Sequence, residues 1–164
     1  MREKRRPPRR LGMTVLIALL SPIIAVYALV YLVLYLFYLS LTYFLVWALW
    51  LLRGKDILFV YSDSPIWQEY MTTQILPRVQ ERAVVLNWSE RSQWSRWSFR
   101  THAFHFFGEN REFNPLVVLF RPFRRAQTFR FWGAFKDWKH GNKETVERLS
   151  QELFSALQPT EKSG

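Results

Sequence analysis

The chain has 164 residues, of which 23 are Lys or Arg and 13 are Asp or Glu, so its formal net charge at pH 7 is +10. It contains no cysteine, which excludes a disulfide scaffold, a thiol nucleophile and every Cys-ligated zinc or iron–sulfur site. Hydrophobic residues make up 49% of the chain, which excludes a disordered or collagen-like protein.

A basic N-terminal segment, residues 1–10, precedes a long apolar run. The segment carries six basic residues against one Glu, and residues 11–52 contain no charged residue, His, Asn or Gln. A bilayer core needs about 20 apolar helical residues, and the run is too long for the apolar part of a secretory signal. Residues 11–52 are therefore predicted to be a transmembrane segment.

One long span, from about residue 23 to residue 52, is favoured over a hairpin of two spans. Residues 30–36 contain no Gly, Pro, Asn or Asp that would make a tight turn. A series of polar residues also recurs at helical spacing and shares one face of a continuous helix: Tyr27, Tyr31, Tyr35, Tyr38 and Thr42. The four tyrosines could bind a membrane-protein partner, or they could reflect the ordinary aromatic enrichment of membrane segments. Ser21-Pro22 predicts a kink.

The orientation follows from charge. The basic residues of the first segment predict a cytoplasmic N-terminus, where they also meet anionic lipid. One span would place the C-terminal domain on the opposite side, whereas a hairpin would return it. Arg53 and Lys55 favour the hairpin weakly, so the side of the domain stays open. Trp47 and Trp50 are expected at the boundary where the span ends.

Four short apolar runs in the C-terminal part predict β-strands. The first three are continuously apolar, as in strands covered on both faces, and the fourth alternates in part. They are residues 57–61, 83–87, 116–120 and 128–132.

Three helices are predicted between and after these strands. The first begins at Ser64-Pro65 and runs to Pro77, and the second runs from about Ser89 to Gly108 with one shared face of Trp94, Trp97, Thr101 and Phe104. The third has an apolar stripe at helical spacing, formed by Val146, Leu149, Leu153, Phe154 and Leu157. The predicted order is β-α-β-α-β-β-α.

This order over residues 56–158 resembles the thioredoxin-like fold, which has a βαβ unit, a connecting helix, a β-hairpin and a final helix. Pro65 follows the first strand, where that family has its active-site turn. Asn114-Pro115 precedes the third strand, where the family has a cis proline facing that turn. The expected fold class is α/β: an N-terminal transmembrane helix, a small thioredoxin-like βαβαββα domain at 56–158, and a tail at 159–164.

The resemblance implies a copy without redox activity. The position of the family's Cys-x-x-Cys motif reads Ser62-Asp63-Ser64-Pro65, and disulfide exchange requires a thiolate. An enzyme with a glutathione-transferase-like site, in which a serine hydrogen-bonds a substrate thiolate, is the alternative. Its candidate residues are Ser62, Asp63, Ser64 and the opposing Pro115. A helix-capping Ser64 and a solvated Asp63 are the simpler interpretation, so a role other than catalysis is favoured.

No metal and no cofactor are expected. His102 and His105 are three residues apart with Glu109 and Glu112 nearby, a spacing that could hold a metal, but an ordinary surface or core-edge pair is favoured. The sequence contains no Gly-rich phosphate loop and no nucleophile elbow.

Residues 120–140 interleave basic and aromatic side chains. Such a surface can bind an anionic bilayer or stack on nucleic-acid bases, and the membrane segment favours lipid over nucleic acid. Alternatively, the rings form a core face and the basic groups a solvated one. The candidate binding residues are Arg121, Arg124, Arg125, Arg130, Trp132, Lys136, Trp138 and Lys139.

The sequence therefore predicts a membrane-anchored, redox-inactive binding or assembly module that acts at the bilayer surface. The alternatives are a membrane-bound enzyme with a non-thiol site and a nucleic-acid-binding protein. The ligand, the partner protein and the oligomeric state are not specified by the sequence.

Overall fold

A computed structural model of the chain describes residues 9–108 and 114–158. It divides into two compact units, Met1–Phe44 and Leu45–Gly164. The basic residues before residue 9 and the predicted tail at 159–164 lie outside the described residues.

The N-terminal helix α1, Arg9–Leu49, is continuous over 41 residues and has Pro22 in its interior. The stretch Leu20–Arg53 contains an 18-residue window with a mean hydropathy of 2.3 and is long and apolar enough to cross a membrane, by length and composition. The structure thus confirms one long apolar helix. A hairpin with a turn at 30–36 is wrong, because the helix runs through these residues without interruption.

The C-terminal unit is built on a four-stranded mixed sheet with the strand order β2-β1-β3-β4. Strands β1 and β2 are parallel, while β3 is antiparallel to both β1 and β4. The strands are β1 (Ile57–Tyr61), β2 (Ala83–Asn87), β3 (Leu116–Leu119) and β4 (Gln127–Arg130). The peptide bond between Asn114 and Pro115, just before β3, is cis.

The helical segment between β1 and β2 begins later and ends later than predicted. It consists of α2 (Gln68–Tyr70), a π-helical turn (Met71–Ile75), α3 (Leu76–Val79) and a 3-10 turn (Gln80–Arg82). Pro77 does not end it. Proline cannot donate to the carbonyl four residues earlier, and its ring crowds that turn. Pro77 lies in the first turn of α3, and the wider π-helical turn lies directly before it. This wider turn makes room for the proline ring.

The predicted helix from Ser89 to Gly108 is wrong in its first half. A 3-10 turn, Trp88–Gln93, is followed by a non-helical stretch, and α4 covers Phe99–Gly108 only. The hydroxyl of Ser95 accepts the backbone N–H of Trp97 at 3.3 Å, a local bond that competes with helix formation. Trp97 is 98% exposed, so it does not share a buried face with Phe104.

A short helix that the sequence interpretation missed, α5 (Trp132–Lys139), follows β4. The predicted fourth strand ends at Arg130. The backbone N–H of Phe131 still bonds to the carbonyl of Pro115 at 2.8 Å, in register with the β3–β4 pairing, but Pro115 has no N–H to return the bond. The N–H of Phe135 then bonds to the carbonyl of Phe131 at 2.9 Å, which begins the helix. The final helix α6, Glu144–Leu157, agrees with the prediction.

The main core lies on one face of the sheet. Alternate residues of β1 and β3 pack there against the β1–β2 helical segment, α5 and α6. Phe59, Phe131, Phe135 and Leu153 are completely buried in this core. The residues of β1 and β3 that point to the other face, such as Leu58 and Val118, are buried as well. The strands are continuously apolar because both faces of the sheet are covered.

Candidate functional site

The turn after β1 holds the serines that were candidates for chemistry. Ser62 is buried, and its Oγ accepts a hydrogen bond from Nε1 of Trp67 at 3.0 Å. The Oγ of Ser64 accepts the backbone N–H of Ile66 at 3.4 Å, and its carbonyl accepts the N–H of Gln68 at 2.9 Å. Both serines therefore close the turn that leads into α2.

Asp63 connects this turn to the turn after β2. Its carboxylate accepts bonds from Nδ2 of Asn87 at 3.1 and 3.2 Å and from Nε2 of Gln68 at 3.2 Å. Its backbone N–H donates to Oγ of Ser89 at 2.9 Å. These turns meet because the carboxyl ends of two paired parallel strands lie side by side. Asn87, Ser89 and Gln68 were missed from the sequence, although the position of Asn87 at the end of a predicted strand was the available signal.

Tyr61, the last residue of β1, lies beside this polar cluster. Burial raises the pKa of its phenol above the ordinary tyrosine value, and the negative charges of Asp63 and Glu90 raise it further. The phenol thus stays protonated at neutral pH.

Pro115 lies at the same end of the sheet as these turns. Its neighbour Leu116 pairs with Val60 in one direction and with Arg130 in the other. Asn114 is buried, and its Oδ1 has no hydrogen-bond partner within the described part of the chain. The structure therefore brings the turn residues and Pro115 to one edge of the sheet.

This edge offers little for nucleophilic catalysis. A serine nucleophile needs an adjacent base, and within residues 9–108 and 114–158 no hydrogen bond joins Ser62 or Ser64 to a histidine, lysine or carboxylate. Asp63 is exposed. The described residues also contain no cluster of three His, Asp or Glu that could hold a metal.

The two histidines considered as metal ligands lie among aromatic rings. His102 stacks between Phe99 and Phe106, with ring centroids 6.2 and 6.5 Å apart. His105 lies 5.3 Å from the ring of Phe104. Glu109 and Glu112 are outside the described residues.

The predicted basic and aromatic binding residues fall at two opposite ends of the sheet. Leu119 pairs with Gln127 at one end, and Leu116 pairs with Arg130 at the other. The turn with Arg121, Arg124 and Arg125 therefore lies at one end. Helix α5 follows β4 at the other end, about 10 Å away along the strands, and contains Trp132, Lys136, Trp138 and Lys139.

Several of these side chains also have structural contacts. Arg121 donates from Nη2 to the carbonyl of Ala156, and Arg130 donates from Nη1 to the carbonyl of Gly108 at 2.7 Å. Trp138 stacks on Phe135 with centroids 5.5 Å apart. Much of the aromatic pattern is thus core, while Arg124, Arg125, Lys136 and Lys139 are exposed.

A cavity of about 540 Å³ lies at the end of the sheet that holds the Arg121 turn. Its lining includes Leu51, Gly54, Asp56, Arg82, Arg121 and Pro122. Arg82 forms an ion pair with Asp56, with Nε and Oδ1 3.0 Å apart. This hydrogen bond raises the pKa of Arg82 above its ordinary value. Burial lowers the same pKa, but by less. The charges of Asp56 and Arg82 in the cavity are therefore paired with each other.

The geometry separates two regions: the polar turns at one end of the sheet, and the cavity with the arginine turn at the other. Comparison of the chain with models of protein families, with curated proteins and with solved structures finds no match.

Proposed function

We propose that this chain is a membrane-anchored, redox-inactive binding or assembly module with a thioredoxin-like domain. The order β2-β1-β3-β4, with β1 and β2 parallel and with β3 and β4 each antiparallel to its neighbour, supports the resemblance. Further support comes from Pro115, which precedes β3 at the same end of the sheet as the Ser62–Pro65 turn. The chain has no thiol, so the domain would serve in recognition.

The exposed apolar surface of α1 carries the proposal. None of its most apolar 18-residue window is buried inside the protein, and Ile23, Tyr27 and Phe37 are each about two-thirds exposed or more. Leaving so much apolar surface in water is unfavourable, whereas the hydrocarbon of a bilayer solvates it. The proposed location is therefore a membrane.

The polar turns favour a module over an enzyme. A catalytic site at this edge would need a buried carboxylate and a pocket beside the serines. Asp63 is instead exposed and joins two turns, and the cavity described above lies at the opposite end of the sheet. The proposed role therefore depends on surfaces.

Orientation and one contact surface belong to the same proposal. The basic N-terminal segment is proposed to be cytoplasmic, and the single span then places the domain on the other side of the membrane. The face formed by Tyr27, Tyr31, Tyr35 and Tyr38 is exposed along α1. It is proposed to contact a helix of a membrane-protein partner or of a second copy.

Alkaline carbonate extraction of the membrane fraction tests the anchor. The full chain is expected to stay in the membrane pellet, because about 20 apolar residues hold a helix in the bilayer irrespective of charge contacts. Release into the supernatant would contradict the proposal.

Purification in a mild detergent tests the tyrosine face. A partner or a second copy is expected to be retained at fixed stoichiometry, measured by light scattering and mass spectrometry. Replacing Tyr27, Tyr31 and Tyr35 by Ala should abolish this retention. The matched control replaces Leu29, Val33 and Leu36 by Ala on the opposite side of the helix. Equal loss in both triple variants would argue against a specific face.

A further inference from the structure

Two aromatic rings outside α1 are almost completely exposed. Trp97 is 98% exposed, and Phe123 is 105% exposed relative to the reference for its residue type. The other large apolar side chains exposed in the described part of the chain after α1 are Leu52 and Ile66. Large aromatic side chains normally bury 150–250 Å² each, so two almost completely exposed rings leave a large apolar area in contact with solvent.

Both rings lie near the place where the chain enters the domain from α1. The ring of Trp50 is buried between Phe99, at 5.1 Å, and Phe120, at 5.7 Å. Trp97 is two residues before Phe99 and Phe123 three residues after Phe120, so their Cα atoms lie within about 7 and 11 Å of these neighbours.

The cavity gives a second link between the arginine turn and the end of the apolar stretch. Leu51, Gly54 and Pro122 line the same cavity. Leu52, next to these residues, is 66% exposed. Ile66, by contrast, lies in the turn after β1, at the opposite end of the sheet.

The same end of the domain has an excess of basic residues, and its acidic Asp56 is paired with Arg82. The segments 50–55, 94–100 and 120–125 together carry seven basic residues and no acidic residue. Arg121 is occupied by the carbonyl of Ala156 and Lys55 by that of Glu81. The other five are exposed: Arg53, Arg96, Arg100, Arg124 and Arg125.

The backbone of the arginine turn directs Phe123 away from the domain. Phe123 has a φ of 58°, the left-handed region that bulky residues rarely adopt. The N–H of Arg124 bonds to the carbonyl of Arg121 at 3.3 Å and closes the turn around it. A ring held outward between arginines is suited to a layer that is apolar on one side and anionic on the other.

We propose that Trp97 and Phe123 insert into the headgroup layer of the bilayer that holds α1, while the flanking arginines contact anionic lipid phosphates. The interface accepts aromatic rings, and basic side chains are attracted to anionic lipids of the leaflet that they face. This inference rests on the proposed membrane anchor. It assigns the contact to the domain end next to α1, and it includes Trp97, which lies outside the 120–140 segment.

The cysteine-free chain permits a direct test with single-cysteine variants. Full-length W97C and F123C, each labelled with an environment-sensitive NBD fluorophore, are reconstituted in phosphatidylcholine vesicles with about 30% phosphatidylglycerol. The matched control is I66C, an exposed apolar position at the other end of the sheet. The labels at 97 and 123 should emit at shorter wavelength than the label at 66, resist iodide and be quenched by nitroxide lipids.

S95C keeps both rings, and its label should also be shielded, so the test does not depend on variants that lose a ring. Replacing Arg124 and Arg125 by Gln in labelled W97C should reduce the shielding, and so should vesicles of phosphatidylcholine alone. Flotation of the same vesicles at alkaline pH checks the anchor separately.

If the chain floats but the labels at 95, 97 and 123 behave as the label at 66 does, this inference is overturned while the anchor stands. Shielding that develops only after membrane proteins are added would likewise overturn it and identify a protein as the occupant. A chain that does not float would overturn the anchor itself.

Discussion

Asp63 shows how a residue chosen as a catalytic candidate can have a structural role. It lies 24 residues from Asn87 in sequence, yet the two side chains join the turns that follow β1 and β2. Trp67 and Ser62 form a second bond within the first turn. The hydroxyl and carboxylate groups that suggested chemistry are thus satisfied by their neighbours.

Replacing Asp63 by Ala should lower the free energy of unfolding by about 1 kcal/mol, because exposed side-chain hydrogen bonds contribute about that much. Urea unfolding of the full chain in non-ionic detergent, followed by near-UV circular dichroism, measures this. The control is Asp137→Ala in α5, whose carboxylate makes no hydrogen bond or ion pair within the described residues. An unchanged D63A protein would show that the two turns do not depend on this link.

The raised pKa of Tyr61 predicts that the stability of the folded chain depends on pH in the alkaline range. Because burial and the charges of Asp63 and Glu90 raise its pKa in the folded state, the folded chain keeps the phenol proton where the unfolded chain releases it. Stability should therefore fall as the pH rises above about 10. The fall should be smaller in Tyr61→Phe, which lacks the titrating phenol. Parallel curves for wild type and Y61F would contradict the raised pKa.

At the scale of elements, the side chain of Arg121 caps the C-terminal end of α6. Its guanidinium donates to the carbonyl of Ala156, one of the carbonyls left without a partner in the last turn of a helix. Arg82 donates to the next carbonyl, that of Leu157, at 3.4 Å. A cation near the helix C-terminus also interacts favourably with the helix dipole.

Arg121→Ala should lower the free energy of unfolding by about 1–2 kcal/mol, because a part-buried, charged hydrogen bond is lost. Arg124→Ala in the same turn is the matched control and should change it by less than about 0.5 kcal/mol, as exposed substitutions do. The same unfolding measurement applies. If both variants lower the free energy of unfolding equally, the capping role of Arg121 is contradicted.

At the scale of the whole molecule, one continuous apolar helix has consequences for sidedness. Single-cysteine variants K4C and N142C, treated with a membrane-impermeant maleimide in sealed vesicles of known orientation, should label from opposite sides. Position 142 should react on the non-cytoplasmic face, since the basic segment favours the cytoplasm. Labelling of both positions from one side would contradict a single span.

The sequence alone determined the features that arise from local patterns. The apolar run, the first three strands and α6 were predicted because burial on one side or on both sides leaves a periodicity in neighbouring residues. That β2 lies at an edge of the sheet was not visible in its apolar run. The long helix followed from the lack of turn-forming residues between positions 30 and 36. The residues of the first turn were located, but their partners were not.

Contacts between residues distant in sequence decided the features that the sequence did not predict. Helix α5 begins where Phe131 bonds to Pro115, and Trp50, expected at the membrane boundary, is buried between Phe99 and Phe120. The basic and aromatic residues of 120–140 divide between two ends of the sheet. The turn between β3 and β4 lies at one end, and the antiparallel strand β4 carries the chain to the other end, where α5 begins. Local sequence carries periodicity, whereas pairing partners and register depend on the packing of the whole domain, so only the tertiary structure could reveal them.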